Sequence, residues 1–236
     1  MFSLMKHTAT TPKQHRYFSV SFLLAIPGNF LIGSACFITW LLLLDRYLLD
    51  KRVWAMFCTG AVAGLGLLGT SEMPRFRTLI HELKHALTVI FTGNLLKAIE
   101  VKKYSGRVNY ELHAETMHFA PVIVLAPYFL PLLSGPALLA CLLLEDLYRE
   151  PLVFLLGFAV AADLSMAYSE LHPRQTDLKQ IKGGVFAALS YLASFHFMWL
   201  SVCLLWVTAG RKGFIYLAYV VLRLCSGALA LCVSSF

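Results

Sequence analysis

The chain has few charged residues and leaves no room for a separate water-soluble domain. Only 14% of its 236 residues are Asp, Glu, Lys or Arg, whereas 58% are hydrophobic. An ordinary globular domain carries about 25% charged residues. Apolar segments long enough to cross a bilayer follow one another along most of the chain. The composition therefore predicts a single integral membrane domain over residues 1–236 and excludes an ordinary soluble enzyme.

Paired cysteines, internal repeats and long basic stripes are also missing. The 6 cysteines all lie in apolar segments without a C-x-x-C pair, and we interpret them as buried small hydrophobic residues. The formal net charge is +7, but the basic residues are spread over short loops. No basic stripe is long enough to indicate a nucleic-acid partner. Short basic loops are instead typical of a protein oriented in the lipid bilayer by positive charge on the cytoplasmic side.

The apolar segments predict an all-α polytopic fold with about six to seven transmembrane helices. The basic N-terminal segment precedes a first span that is too long for a cleavable signal core, so we expect this span to be retained. Pro27 is expected to kink it or to make its first part interfacial. An acidic loop at 145–150 separates the fourth and fifth spans. The predicted helices are 17–44, 53–69, 71–93, 119–144, 152–168, 185–209 and 214–233.

The third predicted helix and the segment after it have clear local signals. Ser71 and Pro74 are typical of a helix start, and Gly93-Asn94 is typical of a helix end. Residues 99–113 then alternate apolar and polar side chains on both sides of Ser105-Gly106. This pattern predicts a short β-hairpin between the third helix and the next span.

The third predicted helix carries the motif His81-Glu82-Leu83-Lys84-His85. Histidines four residues apart share one helix face and can hold a zinc ion, and the glutamate beside the first can act on a metal-bound water. Polar groups inside a membrane helix are costly and usually functional. The plainer alternative is that the histidines are packed, hydrogen-bonded helix residues with Glu82 near a membrane interface. Lys84 points away from the histidine face and could snorkel or line an aqueous cavity.

A catalytic zinc site needs a third protein ligand in addition to the two histidines and a water. On chemistry alone, Asp163 and Asp177 are similarly attractive. Asp163 could instead form a hydrogen bond between helices, and Asp177 could instead cap a helix. The other candidates lie near the fifth span or after the hairpin, and they are Glu170, His172, His113, Glu115 and His118.

A His-Glu-x-x-His motif in a membrane helix, followed by a hairpin, resembles the site-2 protease family of intramembrane zinc metalloproteases. In that family the third ligand is an Asp in a later segment of the type Asn-x-x-Pro-x-x-x-x-Asp-Gly. Residues 169–177 read Ser-Glu-Leu-His-Pro-Arg-Gln-Thr-Asp, and Leu125-Ala-Pro127 is similar to the family's Ala-Gly-Pro segment. Lys84, Ser169 and Leu178 depart from the family pattern.

The resemblance implies a function for each residue of the motif. Glu82 is the expected catalytic base, and His81, His85 and Asp177 are the expected Zn²⁺ ligands. The alternative metal ligands are Asp163, Glu170 and His172.

The resemblance covers about residues 75–184 and implies a divergent, minimal member without a PDZ domain. A metalloprotease core at 71–184 would be flanked by accessory helices at 17–70 and 185–236. The implied activity is regulated intramembrane proteolysis of transmembrane or membrane-anchored substrates. The size of the chain and its lack of targeting segments favour a bacterial inner membrane.

The hairpin has two possible roles. It could supply an edge for strand addition of an unwound substrate, or it could be a plain surface connection. The residues that would contact substrate are Val101, Tyr104, Val108 and Tyr110.

Two other functions remain open from the residues. A membrane zinc protease resembling the CAAX-processing enzymes would use a glutamate, of which Glu170 is the nearest analogue, as its third ligand. A non-catalytic scaffold or transporter would use the motif helix for metal or proton passage. The lack of an obvious inverted repeat argues against a transporter.

Overall fold

The computed structural model describes residues 19–46, 50–69, 74–172 and 175–234. These residues form a mostly helical fold with one two-stranded hairpin. The elements are α1 (Val20–Arg46), α2 (Lys51–Gly64), a π-helical turn (Leu65–Gly69), α3 (Pro74–Phe91), β1 (Leu95–Val101), β2 (Gly106–Glu111), a 3-10 helix (Ala114–Phe119), α4 (Ala120–Phe129), α5 (Ser134–Glu170), α6 (Thr176–Gln180), α7 (Gly184–Ala209) and α8 (Arg211–Ser234).

Three helices in the described part of the chain are long and apolar enough to cross a membrane, namely Val20–Leu44, Ser134–Glu170 and Gly184–Ala209. Large apolar side chains of α1 point outward, and Leu24 and Leu31 are 65% and 74% exposed. Contiguous apolar surface of this kind is rare on soluble proteins. The three helices are therefore consistent with a membrane protein. The expected count of six to seven spans is not confirmed.

Helix α5 folds back on itself near its middle. Tyr148 has non-helical backbone angles, with φ −142° and ψ 38°. The Asp163 carboxylate accepts a 2.8 Å hydrogen bond from the backbone N–H of Ser134. A straight helix would place these two residues roughly 40 Å apart, at about 1.5 Å per residue. Helix α5 therefore consists of two packed arms, and the bend lies inside the acidic loop predicted at 145–150.

The prediction of one continuous helix over 119–144 is wrong. Helix α4 ends at Phe129 and α5 begins at Ser134. Pro131 has no N–H to continue the helix, and a residue before a proline disfavours helical angles. Leu130 accordingly has ψ 120°. By contrast, α1 continues through Pro27 as a single helix.

The predicted end of the motif helix and the predicted hairpin are both confirmed. Gly93 has a positive φ of 73°, and the N–H of Asn94 donates to the carbonyl of Val89 at 3.0 Å, which closes α3. Ser71 lies outside the described residues. Strands β1 and β2 pair antiparallel, with Val101 opposite Gly106. The first strand begins four residues earlier than predicted, at Leu95.

The two larger buried clusters among the described residues organise the helices. The first joins α2, both arms of α5 and α7 around Leu156 and Trp206. The second joins α1, α4, α6 and α7 around Leu125, Leu178 and Tyr191. Because α6 has only five residues, this second cluster is what fixes its position.

Candidate metal centre

Helix α3 presents the motif to the interior of the protein. Glu82 is fully buried, and His81, Lys84 and His85 are nearly so. Helix α3 packs against α4 and against both strands of the hairpin. The side chains of this charged turn are thus enclosed by protein and not left at the surface.

Three buried side chains come together at this turn. Ligand atoms of His81, His85 and Asp177 all lie within 4.8 Å of one another, so the cluster could hold a metal ion. The two histidines are one helical turn apart on α3, as their spacing predicts. Asp177 lies in the first turn of α6, whose N-terminal cap is Gln175, so Asp177 is not the capping residue. Asp177 is next to Leu178, which is anchored in the second buried cluster.

Glu170 holds the ring of His81. Its Oε2 accepts a hydrogen bond from His81 Nδ1 at the end of α5. The other ring nitrogen, His81 Nε2, is buried and has no hydrogen-bond partner among the described residues. Buried polar atoms are almost always paired, and metal-ligating histidines usually donate their second N–H to a carboxylate or carbonyl. The environment of His81 therefore fits a metal ligand bound through Nε2.

A backbone carbonyl holds the ring of His85. His85 Nδ1 donates to the carbonyl oxygen of Ile123 at 2.8 Å. In an α-helix this carbonyl would accept from the nitrogen four residues later, which here belongs to Pro127 and carries no hydrogen. Pro127, inside α4, thus leaves the Ile123 carbonyl available to a side chain. The arrangement fixes the tautomer of His85 and directs Nε2 to the opposite side of the ring.

Tyr128 connects α4 to Asp177. Its hydroxyl donates to Asp177 Oδ2 at 3.1 Å. The edge of its ring packs on His81, with ring centroids 5.8 Å apart and an interplanar angle of 89°. Nothing in the sequence pattern marked this tyrosine, because its contact joins residues far apart in the chain.

The hairpin lies directly over Glu82. Gly106, at the start of β2, approaches so closely that a Cβ on it would overlap the Glu82 side chain. The hairpin therefore covers the residue expected to act as the base. Of the four predicted substrate contacts, Val101 and Tyr104 are exposed, Tyr110 is half-buried and Val108 is buried.

Asp163 lies outside the three-residue cluster and has other partners. Its Oδ2 accepts from the backbone N–H groups of Leu133 and Ser134 at 3.0 and 2.8 Å, and from the Ser134 hydroxyl at 2.8 Å. Its Oδ1 lies 3.4 Å from Lys84 Nζ. This carboxylate caps the free amides at the start of α5 and pairs with the buried lysine of the motif. These contacts match the alternative in which Asp163 forms hydrogen bonds between helices and does not bind metal.

The remaining candidates lie at the surface of the described structure. His172, His113, Glu115 and His118 are exposed. Pro173, the proline of the predicted family motif, lies outside the described residues.

An exposed ion pair joins the two strands of the hairpin. Lys97 bonds to Glu111, and this bond and the lysine charge lower the pKa of the Glu111 carboxyl.

No family model, curated protein or solved structure matches this chain.

Proposed function

We propose that the chain is an intramembrane zinc metalloendopeptidase that cleaves transmembrane or membrane-anchored proteins. The observation that carries the proposal is the buried cluster of His81, His85 and Asp177, with Glu82 on the same helical turn. Each histidine has its Nδ1 bonded to an oxygen acceptor. That pattern is typical of histidines whose Nε2 binds a metal.

The donor set favours zinc in a catalytic setting. Two imidazoles and one carboxylate leave a fourth position for water, as in the zinc sites of several hydrolases. When bound, zinc would supply a water of lowered pKa, near 7, and would polarise the carbonyl of a peptide bond.

Glu82 supplies the proton transfers of the proposed reaction. Its carboxylate takes the proton of the attacking water and delivers a proton to the amide nitrogen that leaves when the peptide C–N bond breaks. The hairpin above it keeps bulk water from the carboxylate. His81 and His85 are held in place by Glu170 and by the Ile123 carbonyl.

A substrate must be extended before it can be cleaved, because a helix hides its carbonyls in hydrogen bonds. The hairpin offers strand edges to an unwound segment, and such strand addition is a common mode of peptide binding. Val101 and Tyr104 are exposed and available for contact, whereas buried Val108 supports the hairpin itself.

The proposed setting is a multi-pass protein of a bacterial inner membrane. Helices α1, α2, α3, the two arms of α5, α7 and α8 are the candidates for its six to seven spans. In this setting the exposed apolar faces of α1 and α8 contact lipid.

The third ligand distinguishes this proposal from a CAAX-type protease that would use Glu170. Glu170 bonds to His81 Nδ1, which supports an orienting role, whereas Asp177 belongs to the three-residue cluster. Replacing Asp177 by Ala should therefore remove the metal, whereas Glu170→Ala should weaken metal binding by roughly 10- to 100-fold.

Metal analysis combined with a cleavage assay tests the proposed function. Purified protein should hold about one zinc per chain, and Glu82→Gln should retain it while lowering cleavage of a membrane-anchored substrate by at least about 100-fold. The exposed Glu115→Gln variant is the matched control and should behave as wild type. Protein without zinc, or a Glu82→Gln variant that cleaves normally, would refute the proposal.

A further inference from the structure

The Tyr128 hydroxyl is a buried polar group bonded to an expected metal ligand. The side chain is 1% exposed, and its hydroxyl donates to Asp177 Oδ2 at 3.1 Å. A buried tyrosine usually finds a partner for its hydroxyl, and here the partner is the carboxylate of the metal cluster.

Asp177 needs such support because its own helix is short. Helix α6 has five residues, and a single isolated turn is not stable in water. Leu178 anchors the backbone in the second buried cluster, but it does not set the rotation of the neighbouring carboxylate. The two histidines, by contrast, lie on the longer helix α3, and each has its own acceptor. Tyr128 gives Asp177 the equivalent restraint.

We infer that Tyr128 is a positioning residue that orients the Asp177 carboxylate for metal binding, an inference that rests on the proposed function. A carboxylate oxygen that accepts a phenolic hydrogen bond is a weaker metal ligand. The hydrogen bond at Oδ2 would therefore leave the other oxygen, Oδ1, as the ligand atom. Tyr128 acts through Asp177 and is not itself a ligand.

A pair of matched substitutions tests this role. Tyr128→Phe removes only the hydroxyl, and Tyr191→Phe makes the same change at another buried tyrosine of the same cluster, whose ring stacks on Phe22. In a chelator competition, Tyr128→Phe should bind Zn²⁺ about 10- to 100-fold more weakly than wild type, and Tyr191→Phe should match wild type. Thermal unfolding of the metal-free proteins shows whether both variants fold.

Cobalt substitution provides a readout that a purely structural role would not change. The visible d–d absorption of Co²⁺ is more intense at four-coordinate than at five- or six-coordinate sites. Co²⁺ bound to Tyr128→Phe should differ in intensity from the wild-type complex, because Asp177 is no longer held in one orientation by the hydrogen bond. Co²⁺ bound to Tyr191→Phe should keep the wild-type spectrum.

The outcomes separate the inference from the proposed function. Wild-type protein that binds no metal would refute the proposed function itself. If wild type binds zinc and Tyr128→Phe has the same affinity and the same Co²⁺ spectrum, only the role of Tyr128 is refuted. Equal weakening by both Tyr→Phe changes would also overturn it, since the effect would then come from packing of the cluster.

Discussion

At the scale of single residues, two prolines in the α4 region create the acceptors that hold the motif helix. Pro127 has no N–H for the Ile123 carbonyl, which accepts from His85 instead. Pro131 likewise has no N–H for the carbonyl of Pro127, toward which Lys84 Nζ points at 3.5 Å. The spacing of four residues between the prolines thus matches the spacing of the two acceptors.

Restoring the missing N–H at position 127 should disturb the metal site. In Pro127→Ala the new amide competes with His85 for the Ile123 carbonyl, and we expect Zn²⁺ affinity to fall roughly 10-fold or more. The matched control is Pro121→Ala in the first turn of α4, where a proline removes no helical hydrogen bond. Zinc competition and ¹⁵N NMR of the His85 ring measure the result. Unchanged affinity and tautomer in Pro127→Ala would contradict this account.

Lys84 is a buried cation on the motif helix, and its surroundings explain how the charge is accommodated. It is 2% exposed and lies 3.4 Å from Asp163 Oδ1. A buried ion pair is tolerated only when its remaining polar atoms are bonded. The other oxygen of Asp163, Oδ2, satisfies this condition because it accepts hydrogen bonds from Ser134 at the start of α5. The Ser134 hydroxyl in turn accepts from Trp199 Nε1 at 3.0 Å.

At the scale of elements, the hairpin and the motif helix form one unit. Asn94, at the end of α3, accepts through its side chain from the backbone N–H of His113 and from the Thr116 hydroxyl, at 3.0 and 2.6 Å. This residue ties the two ends of the hairpin together. The opposite end of the hairpin is then held over Glu82, where a Cβ at position 106 would overlap the Glu82 side chain.

Adding a methyl group at Gly106 should separate metal binding from catalysis. Gly106→Ala would push either the hairpin or the Glu82 side chain aside, so we expect cleavage to fall at least about 10-fold while zinc content stays at the wild-type level. Gly28→Ala is the control, since a Cβ there meets nothing within 4 Å. Zinc analysis and the cleavage assay are run on the same preparations. Full activity in Gly106→Ala would show that the hairpin does not constrain Glu82.

At the scale of the whole molecule, three glycines bring α2 close to the second arm of α5. Gly60 and Gly64 of α2 face the backbone of Phe154 and Phe158, and Gly157 of α5 faces the backbone of Phe57. A Cβ at any of the three glycines would overlap a carbonyl oxygen. Small residues of this kind let membrane helices approach closely, so that van der Waals packing stabilises their association.

A branched side chain in this contact should destabilise the fold without touching the metal site. Gly157→Val should lower the free energy of unfolding by roughly 1–3 kcal/mol or more, because its methyl groups meet backbone that cannot move aside. Gly66→Val, where a Cβ meets nothing within 4 Å, should leave stability nearly unchanged. Thermal unfolding in detergent compares the two variants. Equal unfolding midpoints would contradict the tight packing of α2 on α5.

The sequence predicted the elements whose signals are local and missed the contacts made over long distances. Gly93-Asn94 and Ser105-Gly106 marked a helix end and a turn because backbone preference acts within a few residues. The histidine spacing placed two side chains on one face for the same reason. The partners of Asp163 and Tyr128 depend on how helices far apart in the chain pack together. Residue chemistry alone therefore did not distinguish Asp163 from Asp177 as the third metal ligand. The packed structure shows that the two side chains have different surroundings.

The pairing of Lys84 with Asp163 has a consequence for how the chain enters a bilayer. Lys84 is synthesised well before Asp163, so the motif helix leaves the ribosome without the carboxylate that neutralises its lysine. An unpaired charge in hydrocarbon is costly. In the proposed membrane setting, the motif helix would therefore reach its final depth only after α5 has been made and has folded back to bring Asp163 to Lys84.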